Sequence, residues 1–446
     1  MPDARFTYSL DTLREMVADV LRLAREQGAS EAEADVSEGY GQTVTVRRDE
    51  VETIEYNRDK ALGVSVYIGK QRGYASSSDL APKAIRDTVA AALSIARFTA
   101  ADEAAGLADP ALIARSSRDL DLFHPWDLPV ERAIAMARAC EAAAFRLDPR
   151  IVNSEGASVS TQQSQFIAGN TAGFLDGYAS SRHYISCAVI AQEGDAMQRD
   201  DWYSSQRAPA DLAAPEAIGD YAGRRALARL RSRKLGKRKG RVLFEAPVAN
   251  GLLAHFVSAV SGGSLYRKSS FLIDSLGTQV FAPIVNLREE PHLPRGHASA
   301  CFDDDGVASA PRDVVKDGVV QGYFLSVYSA RKLGMRTTGN AGGNYNLMLA
   351  PGERDFVGML KALGTGLLVT ELMGQGVNPV TGDYSRGASG YWVEGGEIRY
   401  PVEEITVAAN LRDMFRNIAA VGGDVLTRGS RTCGSILVEG MTIGGS

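Results

Sequence analysis

The chain has 446 residues, of which 45% are hydrophobic and 23% are charged, and its formal net charge is -5. This composition is typical of a globular protein, and the length predicts more than one hydrophobic core. An acidic protein lacks the overall basic surface that favours binding to nucleic acid. No window of about 18 apolar residues predicts a membrane span, and no apolar segment follows a basic start at the N-terminus. We therefore expect a cytoplasmic protein that does not contact membranes.

Residues 1–105 predict an N-terminal α+β domain. Apolar side chains at helical spacing predict a helix over 11–27, which Gly28 ends, and a second helix over 81–98. Between these helices, apolar and polar residues alternate, as expected for antiparallel strands with one buried face. Helices packed on such a sheet form a two-layer α/β arrangement.

Residues 106–235 predict a middle region, and residues 236–446 a strand-rich C-terminal domain. A helix over 129–147 precedes closely spaced strands with turn signals, which indicate an antiparallel meander. The run 224–241 then contains ten Lys or Arg and no acid. Because no aromatic residue interrupts this run to stack on bases, we interpret it as a solvated boundary segment. In the C-terminal domain, Asp317-Gly318 and Gly395-Gly396 predict hairpin turns.

The segment VLFEAPVANGLLAHFVSAVSGG begins at Val242 and predicts a buried helix between Pro247 and Gly262. Its order of acidic, apolar and histidine residues resembles that of a zinc-peptidase helix, in which two histidines share one face and a Glu between them acts as general base. Here the only histidine is His255, about three helical turns from Glu245. These two residues cannot form such a site.

Several runs of the chain resemble the TldD/PmbA family of intracellular zinc metallopeptidases, and in particular its PmbA branch, also called TldE. They are V242-L-F-E-A-P-V-A249, S261-G-G-S-L-Y-R-K-S-S-F271, T338-G-N-A-G-G343, T370-E-L-M-G-Q-G-V-N-P-V-T-G-D-Y-S-R-G-A-S-G390 and Y400-P-V-E-E-I405. The TldD branch carries H-E-x-x-x-H in the first of these runs. In this chain Phe244 and Ala249 stand at the two histidine positions, and only Glu245 is retained. A further cysteine ligand of the TldD branch corresponds to the segment Val421–Asp424, and we do not transfer its role to Cys433.

The resemblance implies a metal-free subunit of a TldD/TldE zinc protease. Such complexes process leader peptides of ribosomally made peptide antibiotics and degrade small or unfolded polypeptides. A TldD-like partner would then hold the zinc and the catalytic Glu, while this chain would bind no cofactor and would contribute an assembly surface and part of the cavity. The isolated chain could also form a homodimer.

Two further groups of residues are candidate contacts for a peptide substrate. The glycines in the segment 339–344 either form a turn before a strand or let the backbone approach a bound peptide closely. Arg267 and Lys268 either contact an acidic group or lie solvated at the surface. The candidate substrate-binding residues are Arg267, Lys268, Asn340, Gly342, Gly343 and Asn344.

Two alternative functions remain open on the sequence. The chain could be a self-sufficient homodimeric hydrolase, for which His292, His297 and Cys301 offer ligand atoms, although without the compact spacing of known zinc sites. It could also be a non-enzymatic protein that binds peptides. Metal content and turnover by the isolated chain would distinguish these alternatives.

Overall fold

The computed structural model describes residues 6–115 and 117–445. The chain forms two compact units. The first contains residues up to Leu227 together with Cys301–Ala308, and the second contains Ala228–Ala300 and the residues from Ser309 onward. Both units combine helices with runs of consecutive strands, which confirms the α+β class. Within the described ranges, no helix is long and apolar enough to cross a membrane.

The first unit is built on one antiparallel sheet. Its elements are α1 (Leu10–Glu26), β1 (Glu31–Arg47), β2 (Glu50–Ile68), β3 (Gln71–Ser77), α2 (Pro82–Phe98), α3 (Val130–Phe145), β4 (Ile151–Asn170), β5 (Leu175–Asp176), β6 (Ala179–Glu193), β7 (Ala196–Gln206) and α4 (Pro215–Ala228). The strand order is β3-β2-β1-β4-β6-β7, with β5 beside β4. Because β1 pairs with β4, strands from 1–105 and from 106–235 share this sheet.

The helices of this unit form for the reasons expected from the sequence. Ser9 caps α1 by accepting a hydrogen bond from the backbone N of Thr12 at 3.1 Å. Leu13, Val17 and Val20 recur at helical spacing and are fully buried in the core that α1 shares with the sheet. The predicted helices over 11–27, 81–98 and 129–147 are confirmed, with ends that differ by one or two residues.

The second unit contains two six-stranded sheets. Its elements are β8 (Arg238–Phe244), α5 (Ala246–Ala259), α6 (Gly262–Tyr266), β9 (Leu287–Glu290), β10 (Arg312–Lys316), β11 (Val319–Val320), α7 (Val327–Lys332), β12 (Asn346–Leu349), α8 (Phe356–Leu363), β13 (Gly366–Met373), β14 (Asp383–Glu394), β15 (Glu397–Asn410), α9 (Leu411–Arg416), β16 (Ile418–Val421), β17 (Leu426–Arg428), β18 (Arg431–Cys433) and β19 (Ile436–Gly445). One sheet has the order β11-β10-β9-β12-β18-β17, and the other has the order β15-β14-β13-β8-β19-β16.

Both predicted hairpin turns are confirmed. Asp317 and Gly318 adopt φ angles of 50° and 79° between β10 and β11. Gly395 and Gly396 adopt φ angles of 61° and 80° between β14 and β15. Positive φ at both central residues is what a type I′ turn requires, and its twist matches that of the flanking strands.

A short segment of the chain, Cys301–Ala308, returns to the first unit after the second has begun. The backbone N of Ala308 donates to the carbonyl oxygen of Leu112 at 3.0 Å. The ring of Phe302 packs edge-on against Phe174, with centroids 4.7 Å apart. This segment therefore completes the first unit through both backbone pairing and aromatic packing.

Candidate functional site

The junction between β8 and α5 carries the zinc-peptidase-like segment. β8 ends at Phe244, and the extended backbone of Glu245 (φ -56°, ψ 147°) turns the chain into the helix. The backbone N of Glu245 donates to the carbonyl oxygen of Val369 at 3.0 Å, and its own carbonyl accepts from the N atoms of Val248 and Ala249 at 2.9 and 2.8 Å. The start of α5 is therefore fixed to β13 through Glu245.

Phe244 and Ala249 are both fully buried, with 0% of their surface exposed. Both belong to the hydrophobic core of the second unit, with Leu252, Leu253 and Phe256 from the same helix. A zinc site in a peptidase needs three protein ligands with nitrogen, oxygen or sulfur atoms and one open position. Phe244 and Ala249 offer no such atom, so these two positions do not fit zinc.

Cys433 lies beside the first turn of α5. Its thiol contacts the carbonyl oxygen of Ala246 with Sγ 3.7 Å from the oxygen. Burial, followed by the charge of Asp424, raises the pKa of this thiol to about 12. The side chain is therefore a neutral thiol near pH 7, whereas zinc binds the thiolate.

The segment Val421–Asp424, which includes the end of β16, is tied to Ser435. The backbone N of Gly422 donates to the carbonyl oxygen of Ser435 at 2.8 Å. The carboxylate of Asp424 accepts from the backbone N of Ser435 at 3.0 Å and from its hydroxyl group. Asp424 therefore holds the turn before β19 in place.

His292 and Cys301 are each occupied by neighbours within their own unit. Nε2 of His292 lies 3.0 Å from the hydroxyl of Ser309 in the second unit. In the first unit, Sγ of Cys301 accepts from the backbone N of Arg118 at 3.4 Å. Across residues 6–115 and 117–445, no group of three or more His, Cys, Asp and Glu side chains is placed to hold a metal ion.

The loop 339–345 is organised by one buried carboxylate that the sequence analysis missed. Glu289 is 1% exposed, and its Oε1 accepts from Nδ2 of Asn340 at 2.9 Å and from the backbone N of Tyr345 at 2.7 Å. Its Oε2 accepts from Nε of Arg312 at 2.7 Å. The only sequence signal was that Glu289 alternates with Arg288 and so shares a strand face with Leu287, and a buried acid usually needs a partner.

The candidate peptide-binding residues fall into two groups. Asn340, Gly342, Gly343 and Asn344 share one turn, in which the two glycines are exposed and adopt φ angles of 95° and 119°. Nδ2 of Asn344 donates to the hydroxyl of Ser430 at 3.1 Å. Arg267 and Lys268 follow α6 and are exposed, and Arg267 stacks over Tyr266 at 5.1 Å from the ring centroid. A role for either group in peptide binding stays a prediction.

A second cluster, also missed from the sequence, lies along α5. It consists of His255, Tyr384, Arg386 and Arg431, and its members come from α5, β14 and β18. The His255 and Tyr384 rings meet edge-on with centroids 5.9 Å apart. The one local signal was the i, i+2 spacing of Tyr384 and Arg386, which places both on one face of a strand.

The segment at the start of α5 resembles a metallopeptidase motif in which Phe244 and Ala249 replace the two histidines. Three family models match it, described as PmbA/TldA metallopeptidase domain 1 over residues 32–96, the central domain over 123–230 and the C-terminal domain over 237–445. The chain belongs to the PmbA/TldD metallopeptidase family. Its relatives place it in the PmbA branch.

Two relatives in that branch align over nearly the full chain. The metalloprotease PmbA of Escherichia coli O157:H7 is 50% identical over 97% of this chain and 96% of its own length. The PmbA homologue of Haemophilus influenzae is 46% identical over the same shares.

Solved structures show the same fold. A candidate modulator of DNA gyrase from Bacteroides thetaiotaomicron has a TM-score of 0.92 at 26% identity, covering 97% of this chain and 99% of its own. TldE from Thermococcus kodakarensis has a TM-score of 0.84 at 17% identity, covering 96% of this chain and all of its own, and supports the fold alone.

Proposed function

We propose that this chain is the non-catalytic subunit of a two-chain, cytoplasmic zinc metalloprotease. A TldD-like partner holds the zinc ion and supplies the catalytic Glu. This chain contributes an assembly surface and part of the cavity that receives the polypeptide. The substrates are leader peptides and small unfolded polypeptides.

The observation that carries this proposal is that two buried apolar side chains stand at the start of α5, where zinc ligands would be needed. Phe244 and Ala249, which stand where the TldD branch has histidines, are 0% exposed within the core. Without two imidazoles no zinc ion with an open position is held, and no water is activated at neutral pH. Glu245 then remains as a carboxylate near a helix N-terminus, where the helix dipole favours negative charge.

The test is to purify the chain alone, measure its zinc by mass spectrometry, and assay cleavage of an unfolded peptide. The assay is repeated after mixing with a purified TldD-like chain that carries the H-E-x-x-x-H motif. We expect no stoichiometric zinc and no turnover by the chain alone, and turnover in the mixture that a chelator abolishes.

Each alternative function has its own outcome in this assay. Stoichiometric zinc and turnover by the isolated chain would overturn the proposal in favour of a self-sufficient hydrolase. Peptide binding with no turnover in any mixture would overturn it in favour of a non-enzymatic peptide-binding protein.

A further inference from the structure

The cluster of His255, Tyr384, Arg386 and Arg431 concentrates positive charge beside α5. Burial lowers the pKa of His255, and the charges of Arg386 and Arg431 lower it further. Both guanidinium groups therefore lie within electrostatic reach of the imidazole. Both charges that act on His255 are positive, so they favour its neutral form, and the cluster as a whole carries positive charge.

The strands direct these side chains to a common place. Side chains two residues apart on a strand share a face, so Tyr384 and Arg386 project together from β14. The same rule applies to Arg431 and Cys433 on β18, and Cys433 contacts Ala246 at the start of α5. Arg431 thus projects toward the same helix that carries His255.

Donor atoms of three of these side chains are buried without an acceptor. Tyr384 is 2% exposed, and its hydroxyl has no hydrogen-bond partner among the described residues. The Nε atoms of Arg386 and Arg431 are also buried and also lack a hydrogen-bond partner among the described residues. Within residues 6–115 and 117–445, no ion pair joins either guanidinium to a carboxylate. Unpaired buried donors are rare in proteins because they lose their hydrogen bonds to water.

We propose that His255, Tyr384, Arg386 and Arg431 form a binding site for the carboxylate group of a peptide. A guanidinium presents two parallel N–H groups that match the two oxygens of a carboxylate, and the tyrosine hydroxyl adds a third donor. Both arginine side chains are partly exposed, so a ligand can reach them from solvent. The assignment of the carboxylate to a peptide rests on the proposed function, whereas anion binding is a property of the isolated chain.

The carboxylate could come from a peptide C-terminus or from an Asp or Glu side chain. Three acetylated alanine peptides separate these sources: one with a free C-terminus, one with an amidated C-terminus, and one amidated with a central Glu. Inorganic phosphate is the fourth probe. Binding to the isolated chain is measured by calorimetry in chloride buffer, without zinc or partner, so a failed protease assay leaves this result interpretable.

A second measurement reports on the site itself. The chain contains five histidines. The NMR signal of the His255 imidazole is assigned in isotope-labelled protein from its loss in the variant His255→Gln. A bound carboxylate offsets the two positive charges and so raises the pKa of His255. This readout needs no arginine variant, and it remains decisive if such variants fail to fold.

We expect binding of one or both carboxylate peptides and none of the uncharged amide, with the pKa of His255 raised by the ligand. Arg386→Gln and Arg431→Gln should each weaken binding about ten- to a hundredfold, as expected for a charge-assisted hydrogen bond. Tyr384→Phe should weaken it by a smaller factor. The control Arg399→Gln removes the same charge from an exposed pair with Glu397 in the same unit and should leave binding within about twofold.

Three results would overturn the assignment. Equal binding of the uncharged amide and the carboxylate peptides would show that the carboxylate is not recognised. Binding of phosphate alone would assign the cluster to a different anion. Unchanged affinity in folded Arg386→Gln and Arg431→Gln would place the carboxylate elsewhere on the chain.

Discussion

The thiol of Cys433 faces the carbonyl oxygen of Ala246 across 3.7 Å, which joins β18 to the first turn of α5. With a pKa of about 12 in place of the ordinary 9.0, its thiolate fraction at pH 8 is about a thousandfold smaller than that of an exposed thiol. We therefore expect iodoacetamide to leave Cys433 unmodified in the native chain at pH 8. Peptide mapping by mass spectrometry checks this, with all four cysteines alkylated in urea as the control. Rapid native labelling of Cys433 would contradict the buried thiol.

Glu245 should be dispensable for catalysis if the partner supplies the general base. We expect Glu245→Gln to leave kcat of the assembled protease within about twofold, whereas the same change at the partner's own motif Glu should cost about 10²- to 10⁴-fold. Steady-state kinetics on both reconstituted mixtures provide the comparison. A loss of that size in this chain's variant would assign a catalytic role to Glu245.

Phe244 should contribute to stability rather than to chemistry. Replacing this fully buried ring by alanine leaves a cavity in the core, and we expect Phe244→Ala to lower the free energy of unfolding by about 3–5 kcal/mol. Urea denaturation followed by tryptophan fluorescence measures the loss. Phe98→Ala, at a ring that is 90% exposed, is the matched control and should change stability by less than about 0.5 kcal/mol. Similar losses in both variants would contradict the packing described for β8.

Glu289 should order the loop 339–345. Glu289→Gln removes the charge that faces Arg312 and one of the acceptors for Asn340 and Tyr345. We expect this change to lower the free energy of unfolding by about 2–5 kcal/mol. We also expect faster hydrogen exchange at the backbone amide of Tyr345. Exchange measured by mass spectrometry on the intact chain reports this locally. The neighbouring change Glu290→Gln, at a more exposed pair with Arg288, should leave the exchange rate unaltered. Equal rates of hydrogen exchange at the Tyr345 amide in both variants would show that the loop does not depend on Glu289.

His255 should make stability fall in weak acid. Its pKa is lowered in the folded chain, so below about pH 6.5 the unfolded chain binds the proton more readily, and the stabilisation present at higher pH is lost as the pH falls. We expect the melting temperature of the wild type to drop more between pH 7.5 and 5.5 than that of His255→Gln. The scans are run in chloride buffers, because a bound carboxylate or phosphate would alter the charge around the imidazole. Parallel pH profiles would show that His255 titrates as it does in the unfolded chain.

Local pattern was enough to predict the helices and the turns. Leu13, Val17 and Val20 marked α1, and Asp317-Gly318 marked a hairpin, because helical period and positive φ act over a few residues. The α+β class and the buried helix after Glu245 followed in the same way. These features depend on neighbours in sequence.

The convergence of distant residues could not be predicted in this way. His255, Arg386 and Arg431 lie far apart in the chain, and only the packing of α5 with strands of two different sheets brings them together. The buried partner of Asn340 was missed for the same reason, since Glu289 lies on β9 and Asn340 lies in a loop 51 residues later. Pairing between strands is decided by the whole fold, and no single segment encodes it.

The return of Cys301–Ala308 to the first unit has a consequence for synthesis on the ribosome. A nascent chain that has emerged as far as Leu227 still lacks Phe302, which packs on Phe174, and the backbone that pairs with Leu112. The first unit therefore reaches its final packing only after the first part of the second unit, Ala228–Ala300, has been translated. A fragment cut at the boundary near Leu227 would lack this final piece of its core.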